Sequence, residues 1–167
     1  MWFLFACPES CREILLDAWN RSKSQENAER VFCLTADRVR RYEGSWHLER
    51  VNLFPGYVIC DSDDPERLKD KLLSLADRLK INTDGATITV TETDQSFLER
   101  LYKGSESFQM SRGVICNGVT HVQEGPLQGW EQNIRKIDRH KRIAFLKSPD
   151  ETSELVAKVG LEIIEKT

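Results

Sequence analysis

The chain has 167 residues, of which 40% are hydrophobic and 31% charged, a composition that excludes a disordered or fibrous chain. Its 24 basic and 27 acidic residues leave a net charge of −3, which excludes a generic polycation that coats nucleic acid. No apolar run approaches the ~20 residues of a membrane helix, so no membrane association is expected. The apolar start, residues 1–8, is short, lacks a basic leader and meets Glu9 at once. It reads as a buried first strand, not a signal peptide, and a cytoplasmic location is expected. Five cysteines (Cys7, Cys11, Cys33, Cys60, Cys116) lack metal-ligand spacing, and reduced, mostly buried thiols are expected.

Residues 2–7 suit a central strand. Pro8 and Glu9 suit the first turn of a helix, and Cys11, Ile14, Leu15 and Ala18 place an apolar stripe along it. That helix fades in the polar Ser22-Lys23-Ser24-Gln25, which reads as a loop. Residues 31–42 and 46–53 form a long hairpin around the turn Glu43-Gly44-Ser45. Phe54-Pro55-Gly56-Tyr57 interrupts the strands, and Val58-Ile59-Cys60 resumes them. Asp64 and Pro65 are an N-cap and first-turn pair for a second helix, whose core face is Leu68, Leu72, Leu75, Ala76 and Leu79. Residues 82–85 end it. Residues 86–91 are β-rich, and residues 94–101 form a short helix.

Residues 104–112 are polar and weakly patterned, which predicts a linker. After it, short β runs alternate with turn signals at Val114-Ile115, residues 119–122, 134–137 and 143–146, Leu155-Val156 and Ile163-Ile164. Such a series predicts a small barrel. The fold class is thus α+β: residues 1–103 with an antiparallel sheet and flanking helices, a linker at 104–112, and a β-barrel at 113–167.

Two motifs carry a resemblance. Leu53-Phe54-Pro55-Gly56-Tyr57-Val58, between a β hairpin and a helix, resembles the FFPGYV signature of N-terminal (NGN) domains of the NusG family of transcription factors. The opening Trp2-Phe3-Leu4-Phe5 resembles that family's W-Y-V-V strand. Val31-Phe32-Cys33-Leu34-Thr35 keeps the family order but has Leu34 where proline is common. Gly118-Val119 through Gly125-Pro126-Leu127-Gln128-Gly129-Trp130-Glu131 resembles the KOW motif of the family's C-terminal barrel, with Gln132 in place of the expected glycine. The segments 125–127, 136–142 and 160–166 are similar to the specialised LoaP-type paralogues, a resemblance that implies operon-specific processive antitermination.

The resemblance implies that Phe54 and Tyr57, with Phe5 and Ile59, meet the clamp helices of the β′ subunit of bacterial RNA polymerase. Read from residues alone, Pro55 and Gly56 demand a bend. Phe54 and Tyr57 then either pack the core or flank a shallow apolar pocket, where such rings carry much of a binding energy. The Gly125–Gly129 stretch serves turn geometry.

Within residues 135–147, six Lys/Arg stand against one Asp. Arg135, Lys136, Arg139, His140, Lys141 and Arg142 lie around a hairpin tip at 138–141 and suit phosphate and base-edge contacts. The alternative is a solvated hairpin; the LoaP resemblance implies a nascent RNA hairpin as target, with contact to DNA in the elongation complex also compatible. Arg38, Arg40, Arg41 and Arg50 on the long hairpin read as alternating charges of an outward strand face.

His47, His121 and His140 are far apart in the sequence, and no nucleophile, phosphate-loop or zinc motif accompanies them. Asp61-Ser62-Asp63-Asp64 lacks the glycine and distal Glu of a calcium loop and reads as helix capping. No catalytic residue, metal or cofactor is expected, and a monomer is. Two other functions remain open from sequence: a general NusG whose barrel contacts Rho or a ribosomal protein, and a KOW-type RNA-binding module not tied to polymerase.

Overall fold

A computed structural model describes residues 1–22 and 28–167. The loop expected at Ser22-Lys23-Ser24-Gln25 lies, from Lys23 onward, outside the described residues. The fold is mixed α+β and divides into two compact units. The first comprises Met1–Cys33 and Phe54–Gln95, and the second Leu34–Leu53 and Ser96–Thr167.

In the first unit, β1 (Trp2–Ala6), β2 (Arg30–Phe32), β5 (Tyr57–Asp61) and β6 (Thr87–Thr89) form a sheet of order β2-β5-β1-β6, with every pair antiparallel. Alternation along β1 sends Phe3 and Phe5 to one face, where they join Val31, Val58 and Cys60 in a core with helices α1 (Arg12–Ser22) and α2 (Pro65–Arg78). Helix α2 follows its sequence closely. Asp64 accepts the N–H of Arg67 at 3.2 Å, Pro65 occupies the first turn, and Leu68, Leu72, Leu75 and Ala76 are buried. Such a cap is worth about 1 kcal/mol, and each buried leucine roughly 2 kcal/mol.

Helix α1 departs from expectation. Glu9–Cys11 forms a 3-10 turn ahead of it, and the core residues are Leu15 and Trp19, four apart, whereas Ile14 is 52% exposed. The tight first turn changes the phase of the helix, and Trp19 supplies a larger apolar surface than Ile14 can. Glu9 is drawn away from a capping role, because its carboxylate accepts the Gly56 N–H at 2.7 Å.

Burial raises the thiols of Cys7 and Cys33 to about 11 and lifts that of Cys60 further, because the buried thiolate loses its hydration. Cys116 is exposed. Alkylation at pH 8 is therefore expected to label Cys116 well before Cys7, Cys33 or Cys60, whose folded thiolate fraction is roughly a thousandth or less. Peptide mapping over time checks this, and equal rates for Cys116 and Cys60 would contradict it. Raising the pH toward 11 should speed labelling of Cys7 and Cys33.

In the second unit, β3 (Thr35–Tyr42) and β4 (Ser45–Asn52) form the expected long hairpin. Its loop residues Glu43 and Gly44 both have positive φ, the geometry that matches strand twist. β7 (Ser107–Phe108) adds to β3 in parallel, and the part of α3 (Glu92–Tyr102) from Ser96 onward belongs to this unit and leads into it. Phe108 is buried, with its ring edge-on to Tyr102 at 5.5 Å. The stretch expected to be a linker at 104–112 is thus partly strand and partly core, because Phe108 is an apolar anchor that a polar average over the segment hides.

The remaining strands are β8 (Ser111–Cys116), β9 (Val119–Glu124), β10 (Ile134–Asp138), β11 (Ile143–Lys147) and β12 (Val156–Lys166), in order β10-β11-β12-β8-β9. The two runs expected at 155–156 and 163–164 are one strand. The first half of β12 pairs with β11 and its second half with β8. The sheet is not the closed barrel expected: β9 and β10 are edge strands that do not pair with each other. Instead, the backbone N–H of Val122 on β9 donates to the Glu131 carboxylate at 3.3 Å, and Gly129 N–H donates to the same carboxylate at 2.9 Å.

Candidate nucleic-acid interface

The basic segment is the β10–β11 hairpin. Asp138 pairs with Ile143, Ile137 with Ala144 and Lys136 with Phe145, and a bulge between Ile134 and Lys136 leaves Arg135 out of register. Four residues, 139–142, make the turn. Asp138 Oδ1 accepts the Lys141 N–H at 3.0 Å, and Arg142 takes φ +54°, closing the loop. Arg139, His140 and Lys141 are exposed at the tip, and Arg135 and Lys136 are exposed on the strand.

Arg142 is different. Its guanidinium lies 4.0 Å from the Trp46 ring centroid, and Nη1 is 3.5 Å from Glu162 Oε1. Its carbonyl accepts Leu161 N–H at 2.9 Å. Arg142 therefore acts as a clamp inside the second unit, and the solvent-facing cations of the segment are Arg135, Lys136, Arg139 and Lys141. Beside the tip is an open cleft of about 560 Å³ lined by Lys136, Ile137, Asp138, Arg139, His140, Arg142, Glu162 and Ile163. Its lining sets Lys136, Arg139 and Arg142 against Asp138 and Glu162, and with Arg142 held by Glu162 the cations it offers a phosphate backbone are Lys136 and Arg139.

Two of the four arginines of the long hairpin are paired with carboxylates. Arg40 pairs with Glu49 at 3.0 Å and also lies over the Tyr42 ring; Arg50 pairs with Asp37 at 3.2 Å. Arg38 is half-buried, which disfavours its charged form, and its Nε has no hydrogen-bond partner. Arg41 is exposed. The four do not share one outward face as expected: Arg38 and Arg40 lie on one face of the ladder and Arg41 and Arg50 on the other, with Arg38 half-buried and Arg50 drawn to the buried Asp37.

The Phe54–Tyr57 motif is a β-turn in the first unit. Tyr57 N–H donates to Phe54 C=O at 3.1 Å, Pro55 stands at the second position, and Gly56 has φ +86° at the third. This is the type II geometry that demands glycine there. The turn is tied down by Gly56 C=O, which accepts Cys7 N–H at 2.8 Å, and by Glu9. Phe54 and Tyr57 are half-buried, outside the sealed core, and Pro55 is exposed. Phe5 and Ile59 are 0% and 1% exposed. A partner cannot touch these two without opening the sheet, so of the four residues expected at a polymerase contact only Phe54 and Tyr57 are reachable. Phe5 packs into the core with the helices on one face of the sheet, whereas Ile59, paired with Leu4, points to the opposite face.

His47 stacks on Tyr42 at 3.6 Å, while His121 is exposed on β9 and His140 is exposed at the β10–β11 turn. Among the described residues, no three His, Cys, Asp or Glu side chains are grouped to hold a metal, and no helix is long and apolar enough to cross a membrane. Comparison with known proteins found no matching protein-family model and no similar curated protein.

Sequence reasoning missed three residues of this region: Trp46, Glu162 and Phe145. Trp46 and Glu162 meet Arg142 from 96 and 20 residues away, a pairing no local spacing predicts. Phe145 was legible only as a strand residue.

Proposed function

We propose that this protein is a NusG-type transcription factor that binds bacterial RNA polymerase through its first unit and suppresses pausing or termination at specific operons. The observation that carries the reading is the Phe54–Tyr57 turn. It presents two half-buried aromatics around an exposed proline on a rigid, glycine-dependent frame, in a segment that resembles the polymerase-binding signature of that family. Such part-exposed aromatics at a turn suit docking of a helix tip. In this reading the partner element is the β′ clamp helices. Tight binding to the elongating conformation over the paused one would bias polymerase toward elongation, as any differential affinity must.

The second unit supplies the specificity. The exposed cations of the β10–β11 hairpin favour a nascent RNA hairpin, whose deep groove is too narrow for most side chains and which is read at loops, bulges and phosphates. DNA of the elongation complex is a further polyanion within the same chemistry. The protein would act in the cytoplasm as a monomer and without catalysis.

Mapping the protein's occupancy along the genome against that of polymerase tests the reading. Enrichment on a few long operons, rising downstream of the promoter, is the expected result. Phe54→Ala should abolish the enrichment, by at least the tenfold loss of affinity that ~2 kcal/mol at an anchor residue implies, while leaving the thermal melt of the protein close to wild type. Occupancy that tracks polymerase everywhere would favour a general NusG. Absence from polymerase altogether would leave the RNA-binding module as the surviving alternative.

A further inference from the structure

The outward face of the β10–β11–β12 sheet carries an arrangement that the tip does not account for. On the middle strand, Ala144 and Leu146 are buried, so Ile143, Phe145 and Lys147 point the other way. Phe145 pairs across the ladder with Lys136 on one side and Lys158 on the other. The two ammonium groups lie 5.3 and 5.6 Å from the same ring centroid. Neither Lys136 nor Lys158 forms an ion pair among the described residues. In the register, the one carboxylate on this face of the β10–β11 ladder is Asp138, and it accepts the Lys141 N–H at the turn.

Two like charges thus share one partly exposed aromatic ring, and the carboxylates of Asp138 and Glu162, which line the cleft with Lys136, are engaged by the Lys141 N–H and by Arg112 and Arg142. A lysine beside an exposed ring gains little, and the two ammonium groups repel each other. A ligand carrying a flat π system and a negative charge resolves both conditions. The ring offers a stacking face once the flexible lysines, now over it, swing to a phosphate. An unpaired nucleotide has this combination, and sheet-borne aromatics flanked by cations are a general solution for holding single strands.

We infer that Phe145, Lys136 and Lys158 form a stacking platform for an unpaired nucleotide of RNA, separate from the phosphate contacts of the tip. The platform rests on the same RNA-recognition reading of the hairpin, but it does not depend on polymerase. Lys136 is the residue common to both surfaces, since it also lines the cleft beside the tip. A strand leaving a paired stem held at Arg139 and Lys141 would pass onto Phe145 two ladder positions away. The ligand is then a stem with an adjoining single-stranded segment, and the protein reads the junction.

The test uses the full chain and two labelled oligoribonucleotides, a blunt stem-loop and the same stem-loop with a single-stranded uridine extension, compared by fluorescence anisotropy. The extension is expected to raise wild-type affinity about tenfold, the scale of one base stacked on an aromatic. Phe145→Leu, which keeps an apolar side chain on the outward face but removes the π face, should cancel that gain while leaving the blunt stem-loop unaffected. Phe145→Tyr should retain it. Photocrosslinking of a 5-iodouridine extension should map to Phe145. If Phe145→Leu binds the extended RNA as well as wild type, or if the crosslink falls elsewhere, the platform is overturned while the tip reading stands. If wild type binds neither RNA, both fail. If the extension enhances binding only when it is paired, the surface reads duplex and the platform is likewise rejected.

Discussion

Gly160→Ala is expected to lower the stability of the second unit by about 3 kcal/mol, at the upper end of overpacking effects. Gly160 sits on β12 where the strand passes from pairing with β11 to pairing with β8. A Cβ built there would overlap the Met110 sulfur and come within 2.5 Å of the Asp37 backbone oxygen on β3. Met110 can yield, since thioether side chains adapt. The Asp37 carbonyl cannot, because the eight-residue β3–β4 ladder holds the backbone of β3 on its other side. For a chain of this size the loss corresponds to a fall in midpoint of roughly 6–12 °C. Thermal melts followed by circular dichroism check it, with Gly118→Ala as a control. Gly118 has a positive φ but nothing within 4 Å of the added methyl, so it should cost only about 1 kcal/mol of backbone strain. Equal melts for the two variants would show that β3 does not press on β12 at this point.

The double substitution Arg139→Ala, Lys141→Ala is expected to weaken RNA binding by on the order of tenfold per lost phosphate contact at 0.1 M salt, and to flatten the log–log salt dependence by about one for each. These two cations are chosen because both are exposed and because the turn is held by backbone features, the Asp138 carboxylate and the left-handed Arg142, that the substitutions leave in place. Arg142 is unsuitable for the experiment. Removing it would strip the Trp46 ring of its cation and leave Glu162 with Arg112 alone, so any loss of binding would be mixed with loss of structure. Titrations of wild type and the double variant across a salt series decide the matter. Unchanged affinity and slope would reduce the tip to a solvated hairpin.

The residues that behaved as their sequence implied are those whose conformation is decided within a few positions along the chain. Asp64-Pro65 caps α2, and the leucine spacing that follows buries the expected face. Glu43-Gly44 turns the long hairpin, and Pro55-Gly56 makes a type II turn. The basic run at 135–142 falls on a hairpin tip. Each rests on φ preference, local hydrogen bonding or helical period, which are properties of neighbours in sequence. Burial of Phe5 and Ile59, the capture of Glu9 by Gly56, the packing of Phe108 inside an apparently polar linker, the open edge at β9, and the withdrawal of Arg142 onto Trp46 and Glu162 were decided by the tertiary structure alone. In each of these a side chain or a strand edge is claimed by a group far away in sequence. Sequence therefore set which elements form and where their charge and aromatic residues fall. Packing determined which of those residues remain free to meet another molecule, because contacts between distant segments take some out of solvent and leave the rest exposed.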